Sequence, residues 1–241
     1  MTVAVPVVAS WREPEGVAPR GTVVVVPGRG EHAGVYERFG RRIAADGYRV
    51  WAVADPTVDA DRALGQIRAL LDDATEPGPR VLVGSDAGAL FAAGLAGLPG
   101  VAGLVLAGLP VTASAAALSW DGEVLARTAC PTHQARLQGD DSVRHGALTV
   151  PPPVEWAVRA DPTSVRVPVL GLHGALDTVA DPGAAQEWYA AVPHAELVTI
   201  AGGRHDALND QTHRTAAASV VLFLERLRLG ADLPEIARRV L

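Results

Sequence analysis

Three positions in this chain combine a reactive side chain with a setting able to present it: Asp86 in "VLVGSDAGAL" (81–90), Asp177 in "GLHGALD" and His205 in "IAGGRHDALND". Gly84 and Gly88 stand two residues before and two after Asp86, the frame of a sharp strand-to-helix turn in which a Cβ at either place strikes neighbouring backbone. Centring the turn on Ser85 puts Val83 and Ala87 there instead, so the glycines select Asp86 as the apex. A carboxylate is ionised near neutral pH, needs no base to activate it, and can displace a leaving group at a saturated carbon. Its attack on an ester carbonyl would leave a reactive mixed anhydride. His205 supplies a base for a hydrolytic water, Asp177 a partner to orient the imidazole, and the two carboxylates together favour the imidazolium. Two other chemistries stay open: an ester, lactone or thioester hydrolase in which Ser85 or an Asp86-activated water attacks, and a lyase, cyclase or ligand-binding protein in which Asp86 is a fixed charge or base.

These residues need elements that bring them to one place, and short aliphatic runs alternating with helix-patterned segments predict a parallel sheet covered on both faces. "TVVVV" (22–26) reads as a fully buried central strand. "YRVWAVA", "RVLVG", "VAGLVLAGLP", "VPVLGLHG" and "AELVTIAGG" follow as further strands, and the apolar N-terminus reads as a first one. Helices are predicted over 35–46, 59–73, 88–98, 182–192 and 214–229. Asp86, Asp177 and His205 then fall just after strands, at the carboxyl edge where such sheets bind ligands. Between 111 and 166 the rhythm fails: PTH, GDD and PPP breakers, two tryptophans and a weak helical pattern around 122–137 predict a cap or lid inserted into a core of residues 1–110 and 167–241.

The front of the chain, "SWREPEGVAPRGTVVVVPGRGEHAGVYERFGRRIAADGYRVWAVAD", resembles the monoacylglycerol lipase and lysophospholipase branch of the α/β hydrolases, with "PGRGEHAGVYERF" in place of that branch's HGxGEH oxyanion loop. The order Asp86, Asp177, His205 is similar to the nucleophile, acid, histidine order of that superfamily. The chain departs from the branch at Pro27, where the loop starts without histidine, and at Asp86, where serine is expected. Aspartate at the elbow resembles epoxide hydrolases and haloalkane dehalogenases. The resemblance implies an α/β-hydrolase fold with a mostly parallel sheet, and an alkyl ester formed on Asp86 from an epoxide or halide carbon and hydrolysed by His205-activated water. It also implies a polar pocket at Gly28, Arg29 and Ala87, with the backbone N–H groups of Arg29 and Ala87 facing the substrate. Leaving-group tyrosines are absent from the cap, and no tryptophan follows the aspartate. Trp120, Asp121, Cys130, His133 and Trp156 are the cap candidates for that task, each also readable as packing.

The remaining composition narrows the class. A net charge of −6 with 21 scattered Lys and Arg argues against nucleic acid and anionic membranes. No apolar run reaches membrane-spanning length, and the N-terminus lacks the basic residues of a signal peptide. Cys130 is the sole cysteine, so no intrachain disulfide forms. Gly28, Gly30 and Gly34 do not have dinucleotide-binding spacing, and no histidine–carboxylate cluster has metal-ligand spacing. His173 reads as structural, His145, His194 and His213 as surface, and Asp181, before Pro182, as a helix start. The expectation is a cytoplasmic protein, monomer or homodimer, with a small-molecule substrate and no cofactor.

Overall fold

A computed structural model describes residues 9–112 and 118–238. Seven strands form one sheet in the order β1-β3-β2-β4-β5-β6-β7, comprising β1 (Ala9–Trp11), β2 (Thr22–Val26), β3 (Arg49–Ala52), β4 (Arg80–Ser85), β5 (Val101–Ala107), β6 (Val169–Gly174) and β7 (Ala195–Ile200). Every pairing is parallel except β1 with β3. The eight helices among the described residues are α1 (Glu37–Ala45), α2 (Ala60–Asp72), α3 (Ala87–Ala93), α4 (Trp120–Arg127), α5 (Pro131–Gln138), α6 (Val154–Arg159), α7 (Pro182–Ala190) and α8 (His213–Leu229). This is the mostly parallel, helix-covered sheet that the sequence predicts.

The valine run of β2 shows why. Alternate side chains of a strand point to opposite faces, and a continuous apolar run is needed only where both faces are covered. Val23 and Val25 enter a core with Phe39, Ile43 and Phe223 from α1 and α8, while Val24 and Val26 enter a second core with Ile67 and Trp188 from α2 and α7. Full burial of each valine contributes about 1.5–3 kcal/mol. β2 therefore holds both layers together at the centre of the sheet.

Two predicted segments differ in extent. The helix expected over 88–98 ends at Ala93, with Gly94 as its cap and turns beyond, because Gly94 and Gly97 interrupt the apolar pattern that suggested continuation. The N-terminal strand is three residues, Ala9–Trp11; the rest of the run on which it was predicted, 1–8, lies outside the described residues. Between β5 and β6 the chain is more helical than its sequence suggests. Ser119 caps α4 by accepting from Gly122 N–H, and Pro131 opens α5 at a position where no N–H is needed. Within this segment Trp156 of α6 packs on Phe91 of α3 with ring centroids 4.8 Å apart.

Candidate active site

Four loops at the carboxyl ends of β2, β4, β6 and β7 converge. Asp86 is the residue between β4 and α3, and its backbone has φ 50 and ψ −126, a left-handed φ that costs an L-residue of order 1–3 kcal/mol. The turn is held by Asp86 N–H on Ala107 O at 2.9 Å and by Ala89 N–H on Asp86 O at 2.9 Å. The flanking glycines are required as the sequence suggested. A Cβ on Gly84 would come 2.4 Å from Ala89 Cα, and one on Gly88 would come 2.3 Å from Val26 O and Pro27 O. Gly108, after β5, has φ +56 and passes so close to the His205 loop that a Cβ would meet His205 O at 2.5 Å.

His205 sits between two carboxylates. Its Nδ1 lies 2.9 Å from Asp177 Oδ2, and its Nε2 lies 3.1 Å from Asp86 Oδ1, an ion-pair contact without the alignment of a good hydrogen bond. Asp177 is fixed in turn: Oδ1 accepts from Val179 N–H at 2.8 Å and Ala180 N–H at 2.9 Å, and His173 Nε2 lies 3.2 Å from Oδ2. His173, read from sequence as structural, thus buttresses the acid. Burial would lower the His205 pKa, but Asp177 and then Asp86 outweigh it and raise it to about 10. At neutral pH the imidazole is therefore charged and able to donate a proton.

The unexpected neighbour is Arg29. Its guanidinium grips Asp86 with both arms of the fork, Nε to Oδ2 at 2.8 Å and Nη2 to Oδ1 at 2.7 Å, while its backbone N–H donates to Oδ2 at 2.9 Å. Nη1 reaches the segment between β5 and β6, donating to Leu148 O at 3.2 Å and Val150 O at 2.8 Å. Arg29 is 3% exposed and Asp86 2%, so the side chain is neither solvated nor free. Burial alone would raise the Asp86 pKa; the guanidinium, followed by His205, instead holds it well below the usual carboxylate range. Gly28, also expected at the pocket, gives its N–H to Tyr36 Oη at 3.0 Å, and a Cβ there would crowd Asp86 Cβ at 3.1 Å. Ala87 opens α3, where the first N–H groups lack an intrahelical acceptor.

The cap candidates have other partners. Trp120 stacks on the exposed His145 with centroids 3.9 Å apart, Trp156 packs on Phe91, and Arg38 lies 3.5 Å from Cys130 Sγ. Asp121 accepts from Gln138 Nε2 at 3.4 Å. His133 Nε2 lies 2.6 Å from Asp206 Oδ2. Among the described residues, the side chains on Asp86 are Arg29 and His205. Sequence reading missed the Arg29 grip, whose only signal was an arginine three residues past the end of the central strand.

A second buried ionic cluster lies beside the first. Arg127 is 1% exposed and donates to Glu31 Oε1 at 3.0 Å, Glu123 Oε1 at 2.8 Å and the carbonyl of Arg29 at 2.8 Å. Tyr36 Oη hydrogen-bonds Glu31 Oε2, and Glu123 Oε2 accepts from Gly146 N–H at 2.6 Å. Ligand atoms of Glu31, His133 and Asp206 come within 4.8 Å of one another, a group of metal-binding types drawn from three distant segments that spacing does not reveal. Glu31 is already engaged by Arg127 and Tyr36, and His133 by Asp206, so these groups hold one another.

Comparison with known proteins bears on the fold. The sequence profile of the family described as serine aminopeptidase, S33, matches residues 126–212, less than half the chain. No curated protein matches. Among solved structures, the monoacylglycerol lipase of Paleococcus ferrophilus superposes with a TM-score of 0.72 at 20% identity, covering 90% of this chain and 96% of that one. A soluble variant of monoglyceride lipase from Saccharomyces cerevisiae gives 0.73 at 16% identity, covering 90% of each chain. The enol-lactonase from Burkholderia xenovorans LB400 gives 0.66 at 16%, covering 90% and 95%. The fold is that of the α/β hydrolases.

Proposed function

We propose that the protein is a hydrolase of small organic molecules whose reacting groups are Asp86, His205 and Asp177. The observation that carries this reading is a single imidazole held between two carboxylates, Nδ1 2.9 Å from Asp177 and Nε2 3.1 Å from Asp86, with Asp86 on a strained turn at the strand ends. The lipase and lactonase neighbours in fold support an ester or lactone as the substrate class. In that chemistry Asp86, once Arg29 is drawn off it, takes a proton from water while the hydroxide adds to the carbonyl carbon. The Ala87 N–H at the first turn of α3 faces the oxyanion; the Arg29 N–H, expected from sequence to face the substrate, is held by Asp86 Oδ2 at 2.9 Å and is free for the oxyanion only when that carboxylate shifts. The C–O bond then breaks, the departing alkoxide takes the proton of the His205 imidazolium, and Asp86 returns its own proton to His205.

A second reading is covalent, and one observation favours it: Oδ2 of Asp86 rests on the Arg29 backbone N–H while Oδ1 faces His205. Oδ1 attacks an epoxide carbon, the C–O bond of the ring opens, and the released oxygen takes the proton of His205. The neutral imidazole then deprotonates a water that adds to Cγ, with the negative charge gathering on Oδ2 at the N–H already in place. The bond from Cγ to the alkyl oxygen breaks, the departing alkoxide takes the proton from the imidazolium, and the new Asp86 carboxyl, formed with the water oxygen, gives its proton back to His205. Single turnover in oxygen-18 water separates the two. Label in the product acid with an unlabelled Asp86 peptide supports ester hydrolysis, and label in the Asp86 peptide supports the alkyl ester. Full hydrolysis of esters, lactones and epoxides by Asp86→Ala would remove both.

A further inference from the structure

A cavity of about 300 Å³ opens beside the buried Arg29–Asp86 pair, lined by Arg29, Thr57, Arg144, His145 and the apolar wall of Ala147, Val150, Pro151 and Pro153, with Gly146. Among these lining residues there is no carboxylate. Arg144 is half exposed; among the described residues the one hydrogen bond of its side chain runs to Thr57 Oγ1 at 3.0 Å, with Asp55 Oδ2 farther off at 3.7 Å. Asp86 therefore sits behind a guanidinium that borders a cationic, partly apolar chamber. For a reactant to reach Asp86 Oδ1, the Nη2 of Arg29 must leave it.

We propose that this chamber binds a carboxylate-bearing small molecule, whose carboxylate takes the Nε/Nη2 face of Arg29 in exchange for Asp86 while Arg144 closes on it from the other side. The exchange replaces one carboxylate by another on the same planar fork, so the buried guanidinium never stands unpaired, which would otherwise be the dominant cost. A neutral molecule of the same shape offers no such exchange and leaves Asp86 covered. Val150, Pro151 and Pro153 give the ligand an apolar body to rest on. Combined with the proposed hydrolysis, on which this last step rests, the substrate class becomes an ester, lactone or epoxide that carries a carboxylate. Its charged end frees Asp86 from the guanidinium, leaving it with His205 and the Arg29 backbone N–H.

The test reads binding rather than turnover, so it stands or falls apart from the hydrolytic reading. Benzoate and its neutral isostere benzamide are titrated calorimetrically into the full-length protein at fixed ionic strength. Saturable benzoate binding is expected, with benzamide at least tenfold weaker. Arg144→Gln should weaken benzoate at least tenfold. Asp86→Asn removes the internal competitor for Arg29 and should tighten benzoate at least tenfold; should that variant be unstable, benzoate should raise its melting temperature more than it raises the wild type's. Equal affinity for benzoate and benzamide, no binding of either, or benzoate affinity unchanged by both substitutions would overturn the anion site. Benzoate binding by a protein in which Asp86→Ala leaves hydrolysis intact would sink the hydrolytic reading and leave the site standing.

Discussion

Two buried ionic clusters lie side by side in this molecule, and each contains a histidine on an aspartate: His205 with Asp177 and Asp86, and His133 with Asp206 beside Glu31 and Arg127. Both are almost fully excluded from water. The backbone beneath them differs, and so do the surroundings. Asp86 is held at φ 50 by a turn between two glycines that admit no Cβ, and the guanidinium covering it borders a cavity. Asp206 lies in a loop whose backbone is tied to α4, with Asp206 N–H on Arg127 O at 2.8 Å, while the Arg127 side chain ties that helix to Glu31 and to the carbonyl of Arg29. An acid–histidine contact therefore does not by itself mark a site; strain stored at the acid and a route towards it do. The second cluster is read as the fastening that holds the inserted helices on the loops of the first.

This contrast has measurable edges. Asp86→Ala should lower kcat/KM for hydrolysis by about 10³-fold or more, as expected for loss of a reacting group, whereas His133→Gln should cost less than tenfold. Equal losses would erase the distinction. Arg127→Ala strands Glu31 and Glu123 without their cation and should cost about 3–5 kcal/mol by denaturant unfolding. Gly88→Ala forces a Cβ against Val26 O and Pro27 O and should cost about 1–3 kcal/mol, with the elbow distorted and activity lost alongside. His133→Leu, which offers no donor to the buried Asp206, should cost about 1–3 kcal/mol.

The pH dependence sharpens the same comparison. His205 has a folded pKa raised from 6.5 to about 10, so its contribution to stability is complete below pH 6.5 and fades as pH climbs towards 10. Asp86 has a depressed pKa, so its contribution is complete above its ordinary 3.8 and is lost on acidification through the folded value. In the ester chemistry His205 donates its proton, so kcat/KM should stay flat through pH 7 and fall near pH 10. A profile rising through about pH 6.5 would mean that a neutral imidazole is the active form.

Much of this was legible in the residues. Thr22–Val26 is a strand with the bounds its valines suggest, and Gly84 and Gly88 fixed the register of Asp86 through sterics that the structure repeats in ångströms. Such features are local: they need only the pattern of a few neighbouring side chains. What stayed hidden depends on pairing across the chain. Arg29 meets Asp86 from 57 residues away, and Arg127 meets Glu31 from 96. Burying Arg127 also explains why α4 was faint in the sequence, because a fully buried arginine and glutamate on one helix face blur the apolar stripe that marks an amphipathic helix.

The placement of the chemistry on Asp86 rather than on its neighbour is open to one direct measurement. Ser85 ends β4, buried, with the Tyr36 hydroxyl as its side-chain partner, while His205 faces Asp86. Hydrolysis of a panel of carboxylate-bearing esters, lactones and epoxides by wild type, Ser85→Ala and Asp86→Ala should show at least half the activity kept in Ser85→Ala and about 10³-fold lost in Asp86→Ala. Activity abolished in Ser85→Ala and retained in Asp86→Ala would contradict it.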